Sequence, residues 1–411
     1  MEKHRLRNIS ARPFTIDGSS VLVLEDPEHL SEYPLFVPDN DPMVFILNCL
    51  DGEHTVADIQ AEFMRRFGSL LMSDQINDII QKLNENYFLE NEHFSEYKNN
   101  LIEIFLKSSV RKSFLSGKTY PEDEKDIAEE LESMLTEGRN VSTDEVQESP
   151  ARPRAIITPH IDFMRGEHVY GSIYNTLLPY SPPDVIVILG TLHNTASTLF
   201  LPTRKSFETP LGVAVTDLEI LNDIDAVIPP EELYADEFVH RGEHSIEFQV
   251  LWLQYIYRHI GPITILPILC SSFGEYVERG VSPESDETFQ RFVKALGIAL
   301  QKSGRDILFV AGADLSHIGP SFGDPEYITN ELQEESRRND HTILDAICAG
   351  DAERLFETIA SRNDRFRVCG LPPIYTMLKV LGPVTGKVVD YEQSLDRDAT
   401  TSVSFAGVVF Y

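Results

Sequence analysis

Four apolar, β-branched runs each lead into a polar residue of the kind that does chemistry. Ala155-Ile156-Ile157-Thr158 leads into Pro159-His160, and Val185 to Leu189 leads into Gly190-Thr191-Leu192-His193. Ile263 to Leu269 ends at Cys270, and Ile307 to Val310 leads to Asp314 and His317. Unbroken apolar runs of this length predict strands buried on both faces, as in a parallel sheet. Between and after them, apolar positions at helical spacing predict helices over 166–178, 243–258, 286–302, 337–348 and 372–381. Strands over 386–391 and 402–411 end the chain. The βα alternation predicts an α/β fold, with a mostly parallel central sheet, helices on both faces and an antiparallel portion at the end.

The first 95 residues pattern differently. Residues 19–24 and 33–37 read as short strands, and Pro42 to Leu50 as a helix closed by Asp51-Gly52. Thr55 to Asp58 is a capping-type start to a second helix, with Ile59, Phe63 and Phe67 on one face. Ser73 is placed to cap a third, carrying Ile76, Ile79, Ile80 and Leu83, and Tyr87-Phe88-Leu89 reads as a short strand. The order predicts a small winged-helix-like α+β module over 1–95, a connecting helix over 96–109 and an α/β domain over 110–411. Leu50-Asp51-Gly52, Thr55 with Ile59, and the run Ile79 to Leu89 resemble the PqqD-like winged-helix family. That resemblance implies a module that binds leader peptides or a protein partner. A role on DNA is disfavoured, because residues 73–86 carry one Lys and three acids. An acidic amphipathic helix over 123–135 and a polar, Pro-containing loop over 137–153 precede the main sheet.

The net charge is -31, from 35 Lys and Arg against 66 Asp and Glu. This excludes a general nucleic-acid surface and disfavours docking on anionic lipid. The N-terminal residues lack an apolar signal core, and no apolar run reaches membrane-spanning length. The four cysteines, Cys49, Cys270, Cys348 and Cys369, form no CxxC pair. Neither a disulfide framework nor a zinc ribbon follows, and the expected compartment is the cytoplasm.

In open α/β sheets ligands bind beyond the carboxyl ends of the strands, where His160, His193, Asp314 and His317 all fall. Neutral imidazoles at adjacent strand ends can share a metal ion. Glu243-His244-Ser245-Ile246-Glu247 reads as a helix start. Its bland reading is a capped terminus with Ser245 as the cap. Its functional reading puts His244 in the cleft as acid, base or ligand partner. Asp314 and His317 can face one way as an acid–base pair. Cys369, just before a helix N-terminus, would have a lowered pKa and serve as soft metal ligand or nucleophile. Cys270 is a weaker candidate, and Cys49 and Cys348 sit in apolar helical settings.

Nine segments in order resemble the Memo family, which includes protein B of the AmmeMemoRadiSam system. They are Tyr120-Pro121, Ile157 to His160, Ile188 to Gly190 with His193, Thr209 to Gly212, Glu243 to Glu247, Leu266 to Leu269, Asp314 to His317, Cys369-Gly370 and Ser402 to Phe405. The resemblance implies a fold like that of the LigB-type class III extradiol dioxygenases. It also implies an iron or copper ion held by His160, His193 and Cys369, with His244, Asp314 and His317 around it, and a functional link to a radical-SAM protein. The chain departs from the family pattern at Ile161-Asp162-Phe163, Asn194 and Phe405.

Three functions follow. The first is a copper- or iron-binding redox protein or oxidoreductase with a His/His/Cys site, where thiolate in place of a carboxylate disfavours ring cleavage. The second is a peptide- or partner-binding accessory of a radical-SAM-linked modification system. The third is a metal-free hydrolase or transferase, with Cys369 as nucleophile, His160 or His193 as base and Asp314 orienting it.

Overall fold

The computed structural model describes residues 2–16, 18–31, 33–142 and 152–411, with the side chains of 139–142 left aside. The chain divides into two compact units, Met1–Lys107 and Ser108–Tyr411.

In the first unit, strands Ser10–Ile16, Ser19–Glu25 and Leu35–Pro38 form an antiparallel sheet, and helices span Asp41–Cys49, Val56–Phe67, Ser73–Glu85 and Glu92–Lys107. The Thr55–Asp58 capping box expected from the sequence starts the second of these helices. Ile59, Ile76, Ile80 and Leu83 face the core as their spacing requires. Four expectations change. Asp51-Gly52 is no closing turn but opens a strand, Asp51–Thr55, paired with Lys3–Arg5. Ser73 is the first helical residue and not the cap; Met72 precedes it, and the Gln75 side chain takes up the Met72 amide. Tyr87 to Leu89 forms no strand, because Tyr87 has a left-handed backbone (φ 60°) and Leu89 makes only an isolated bridge to Leu6. The helix expected over 96–109 runs Glu92–Lys107.

The second unit is built on an eleven-stranded mixed sheet. Its parallel centre runs Ala155–Thr158, Ile307–Gly312, Val185–Thr191, Thr264–Cys270 and Gly212–Thr216, so all four apolar runs read from the sequence are neighbours here. Strand residues alternate between faces. Val185, Val187 and Leu189 enter one apolar core with Phe292, Leu296 and Leu378, while Ile186 and Ile188 enter the other with Ile173, Leu251 and Trp252. Helices thus cover both faces, and every residue of Val185–Thr191 is buried. The C-terminal strand Ser402–Phe410 pairs antiparallel with Gly386–Leu395 and Ala155–Thr158.

Two local expectations fail at the strand ends, and both shape the site. Asp314 to Ile318 is no turn; it is a strand, pairing antiparallel with Ser402–Phe410. Past Ala313, whose amide donates to Thr158 O, the chain leaves Ala155–Thr158 and moves over to the last strand. The helix expected from residue 243 begins only at Glu247. Residues 243–246 turn tightly instead, with the Glu243 carboxylate collecting the amides of His244 and Ser245. The acidic helix continues beyond its expected end and spans Glu124–Ser142, so residues 137–142 are helical, and 143–151 of the expected loop lie outside the described residues.

Candidate metal centre

His160 follows the Ala155–Thr158 strand and is 2 % exposed. Its amide donates to Asp314 Oδ1 at 2.9 Å, and its Nδ1 faces the Gly312 carbonyl at 3.0 Å. A carbonyl only accepts, so Nδ1 carries the proton and the lone pair lies on Nε2. Burial, helped by the neighbouring His193, lowers its pKa to about 3, so the ring is neutral. Gly312 is required where it stands, since a Cβ there would meet Ser245 O at 2.5 Å.

His193 lies at the mouth, its side chain 39 % exposed. Glu243 fixes it twice, accepting the His193 amide at 2.9 Å and facing Nδ1 at 3.0 Å. His244 Nδ1 lies 3.3 Å from the same carboxylate. Burial opposes charge on both partners of the His193–Glu243 pair, but their mutual attraction outweighs it. Glu243 is held well below the usual carboxylate range and His193 well above the usual imidazole value. The rings of His193 and His244 stack at 4.7 Å, and both stand nearly perpendicular to His160, at 4.9 and 5.4 Å. One ring nitrogen from each of the three lies within 4.8 Å of the other two.

Cys369 Sγ lies 3.5 Å from His160 Nε2 and 3.7 Å from Asp314 O. Burial pushes the thiol up, against the lowering expected near a helix N-terminus; the His193 contact offsets this only in part. Gly370 permits that placement, because a Cβ there would meet Asp314 O at 2.5 Å. Asp314 is buried, and desolvation raises its pKa to about 6 although the His317 charge and the His160 amide pull it down. His317 stands aside from the three-imidazole group. Its Nδ1 faces the carbonyls of Leu315 and Arg367, each at 3.1 Å, and burial lowers its pKa to about 4. Cys270 is fully buried in the core.

The structure brings His160, His193, Cys369 and Asp314 together, but of the four residues placed at strand ends by the sequence His317 stands aside. It also sets His244 among the candidate ligands. Glu243 was not singled out from the sequence, where nothing but its place beside His244 marks it. Ser245 does not cap a helix; its hydroxyl donates to Thr191 O at 2.8 Å and ties the turn to the strand that carries His193. A cavity of about 200 Å3 opens beside His193 and Cys369, walled by Leu192, Phe273, Val277 and Leu371.

The donor set fits a transition metal. Ligating imidazoles are held at one nitrogen by a carboxylate or carbonyl and offer the other. His160 has that arrangement with Gly312, and His193 and His244 have it with Glu243. Nitrogen donors with a thiol alongside suit copper or iron over hard cations.

No helix among the described residues is long and apolar enough to cross a membrane. A family model described as Memo-like protein matches residues 111–409. A MEMO1 family protein of Aquifex aeolicus is 27 % identical over 412 residues, covering 100 % of both chains. One of Thermus thermophilus is 29 % identical over 363 residues, 86 % of this chain and 98 % of its own. One of Pyrococcus furiosus is 26 % identical over 312 residues, 73 % of this chain and 98 % of its own, so the chain carries a stretch that this relative lacks. With the match spanning nearly all of the second unit and including every strand-end histidine, the chain belongs to the Memo-like protein family.

Proposed function

We propose that the second unit is a LigB-like metalloprotein domain that binds one copper or iron ion through His160, His193 and His244, with Cys369 as an added sulfur donor, and acts as a redox protein or oxidoreductase. The observation that carries this is the common anchoring of the imidazoles, two on one buried glutamate and one on a strand carbonyl. A bound ion would supply one-electron redox chemistry. The protein's own residues do the rest. Gly312 fixes the tautomer of His160. Glu243 orients His193 and His244 and supplies a negative charge behind them. Asp314, poised near neutrality, can hold or release a proton beside His160 and Cys369. Leu192, Phe273 and Leu371 line the adjoining cavity together with Thr191, Ser272, Asp364 and Arg367.

Metal analysis of protein purified without added metal tests the reading, beside a His160→Ala/His193→Ala/Cys369→Ala variant and a His244→Ala variant. Near-stoichiometric iron or copper, lost in both variants, is the expected result. No metal in the wild type, and no uptake of iron(II) or copper(I) under anaerobic conditions, would overturn it.

The contact of Cys369 Sγ with His160 Nε2 favours a second reading, a metal-free Cys/His hydrolase. It ranks lower, because burial raises the thiol and leaves little nucleophilic thiolate. For the first unit we propose a PqqD-like, winged-helix role in gripping a peptide or partner of a radical-SAM-linked modification system. Exposed Phe14, Ile16 and Phe36 on its three-stranded sheet support this. Recovery of partners by the full chain and by a Phe14→Ser/Phe36→Ser variant tests it; equal recovery counts against it.

A further inference from the structure

Aromatic rings run in contact from the histidine site along the Glu247–Tyr257 helix. His244 lies 5.6 Å from Phe248, Phe248 4.6 Å from Phe163, Phe163 6.2 Å from Trp252 and Trp252 6.5 Å from Tyr255, centroid to centroid. The Tyr255 hydroxyl donates to the Glu132 carboxylate, whose side chain is half exposed, so the path ends at water.

Trp252 is the only tryptophan in the chain. It is fully buried, and its Nε1 has no hydrogen-bond partner. An indole N–H left so carries an uncompensated desolvation cost, which packing alone would avoid by using a phenylalanine. Tyr174 and Tyr170 stack on it at 4.9 and 5.8 Å. Their hydroxyls donate to Gln249 Oε1 and to Ile161 O, neither of which can take a proton. Tyr255 alone of the three phenols around Trp252 bonds to a carboxylate. Losing an electron from a phenol is far easier when its proton has a base to go to. An oxidised indole with no acceptor for its N–H cannot shed the proton, so it passes the vacancy on. The middle of the chain is built to transmit and its outer end to give.

We propose that this chain of rings is an electron relay that refills a one-electron vacancy at the histidine site, a reading that rests on the redox-metal assignment above. Hydrogen peroxide that takes two electrons from the site and two protons from solvent leaves as two waters, so two one-electron vacancies remain to be filled. Tyr255 then gives up one electron and its phenol proton. The proton passes to Glu132 along their hydrogen bond. The electron passes through Trp252, Phe163 and Phe248 to the site and fills one vacancy. An external reductant then returns an electron to Tyr255, Glu132 gives the proton back to the phenol, and a second passage fills the other vacancy. The neutral phenoxyl radical sits on Tyr255, itself 1 % exposed but one hydrogen bond from the half-exposed Glu132, through which it meets external reductants, and the ligands of the site escape oxidation.

The test is freeze-quench electron paramagnetic resonance of the full chain loaded with copper or iron and mixed with hydrogen peroxide. Peptide mapping of oxidised residues accompanies it, with zinc-loaded protein as the redox-inert control. The expected result is a tyrosyl signal that is absent with zinc and lost in Tyr255→Phe. It should also be lost in Glu132→Gln, an exposed change that leaves the core intact, and oxidation should shift in both variants to His193 and Cys369. A signal unchanged in Tyr255→Phe would overturn the relay. So would full metal uptake and peroxide consumption with no tyrosyl signal. Metal analysis of the same samples separates the two readings: protein that takes up no metal fails the site assignment and the relay with it, whereas loaded protein without a Tyr255 radical fails the relay alone.

Discussion

Glu243 and Glu247 stand four residues apart, and both are buried, at 3 % and 0 % exposure. Their surroundings differ in kind. Glu247 pairs with the buried guanidinium of Arg111 and accepts the amides of Phe114 and Leu115 and the Tyr120 hydroxyl. Arg111 in turn donates to the carbonyls of His240 and Glu243. Every partner there is a permanent charge or a fixed dipole, so the cluster has one state and holds the His244 turn in place. Glu243 bonds to the His193 imidazole and lies 3.3 Å from that of His244, and one ring nitrogen of each lies within 4.8 Å of one on His160. A buried carboxylate facing a permanent cation reads as structure. One facing groups that can gain or lose a proton or a metal reads as chemistry.

The largest effect that would break this contrast is on Glu247. Glu247→Ala leaves Arg111 buried without its counter-charge, and removal of one partner from such a pair costs about 3–5 kcal/mol. Thermal or urea unfolding should show that loss with or without metal. Glu243→Gln keeps shape and volume but removes the negative charge behind two candidate ligands. Metal affinity should fall about 10–100-fold, as for other residues that orient ligands. Isothermal titration would read it, and the far-ultraviolet spectrum should stay unchanged. If Glu243→Gln unfolds the chain and Glu247→Ala spares it, the two roles have been assigned the wrong way round. Gly370→Ala comes next. Its Cβ would press on the Asp314 carbonyl and within 2.9 Å of Ala313 Cβ, so Cys369 must shift. The cost should be about 1–3 kcal/mol, as for overpacked cores. Any sulfur-to-metal charge-transfer band should weaken, and an unaltered band would remove Cys369 from the ligand set.

Much of this was legible in the sequence because buried parallel strands need unbroken apolar runs. Those runs located Ala155–Thr158, Val185–Thr191, Thr264–Cys270 and Ile307–Gly312 to within a few residues and placed His160 and His193 at their ends. The Memo resemblance anticipated the family. What was not legible depends on contacts distant in sequence. Asp314–Ile318 becomes a strand only because Ser402–Phe410 waits beside it, 88 residues away at the Ser316–Ser404 contact. The late start of the Glu247 helix follows from Glu243 capturing its neighbours' amides, which the residue pattern of a capped helix imitates. The rise of the Cys369 pKa comes from burial that a helix-terminus argument cannot see.

The smallest effect sharpens the comparison from the other unit, where Arg7 and Asp26 repeat the logic of Arg111 and Glu247. Their side chains are 4 % and 1 % exposed, and the carboxylate accepts two guanidinium bonds and the amides of Glu28, Leu30 and Ser31. Burial resists its ionisation, but the Arg7 and Ser31 bonds outweigh it and hold the pKa below the ordinary value of 3.8. A carboxylate with a depressed folded pKa stabilises fully above its unfolded pKa, and that contribution is lost as pH falls through the folded one. Hydrogen exchange in the full chain should therefore show the Leu30 and Ser31 amides equally protected, after correction for intrinsic rates, from neutral pH down to about pH 5. Protection should then decline as the pH drops below 3.8. In Asp26→Asn the amides should be less protected at neutral pH, and the decline should vanish. A decline that survives the substitution would mean that another group controls this segment. The pair would then not be the single-state structural device that its permanent cation implies.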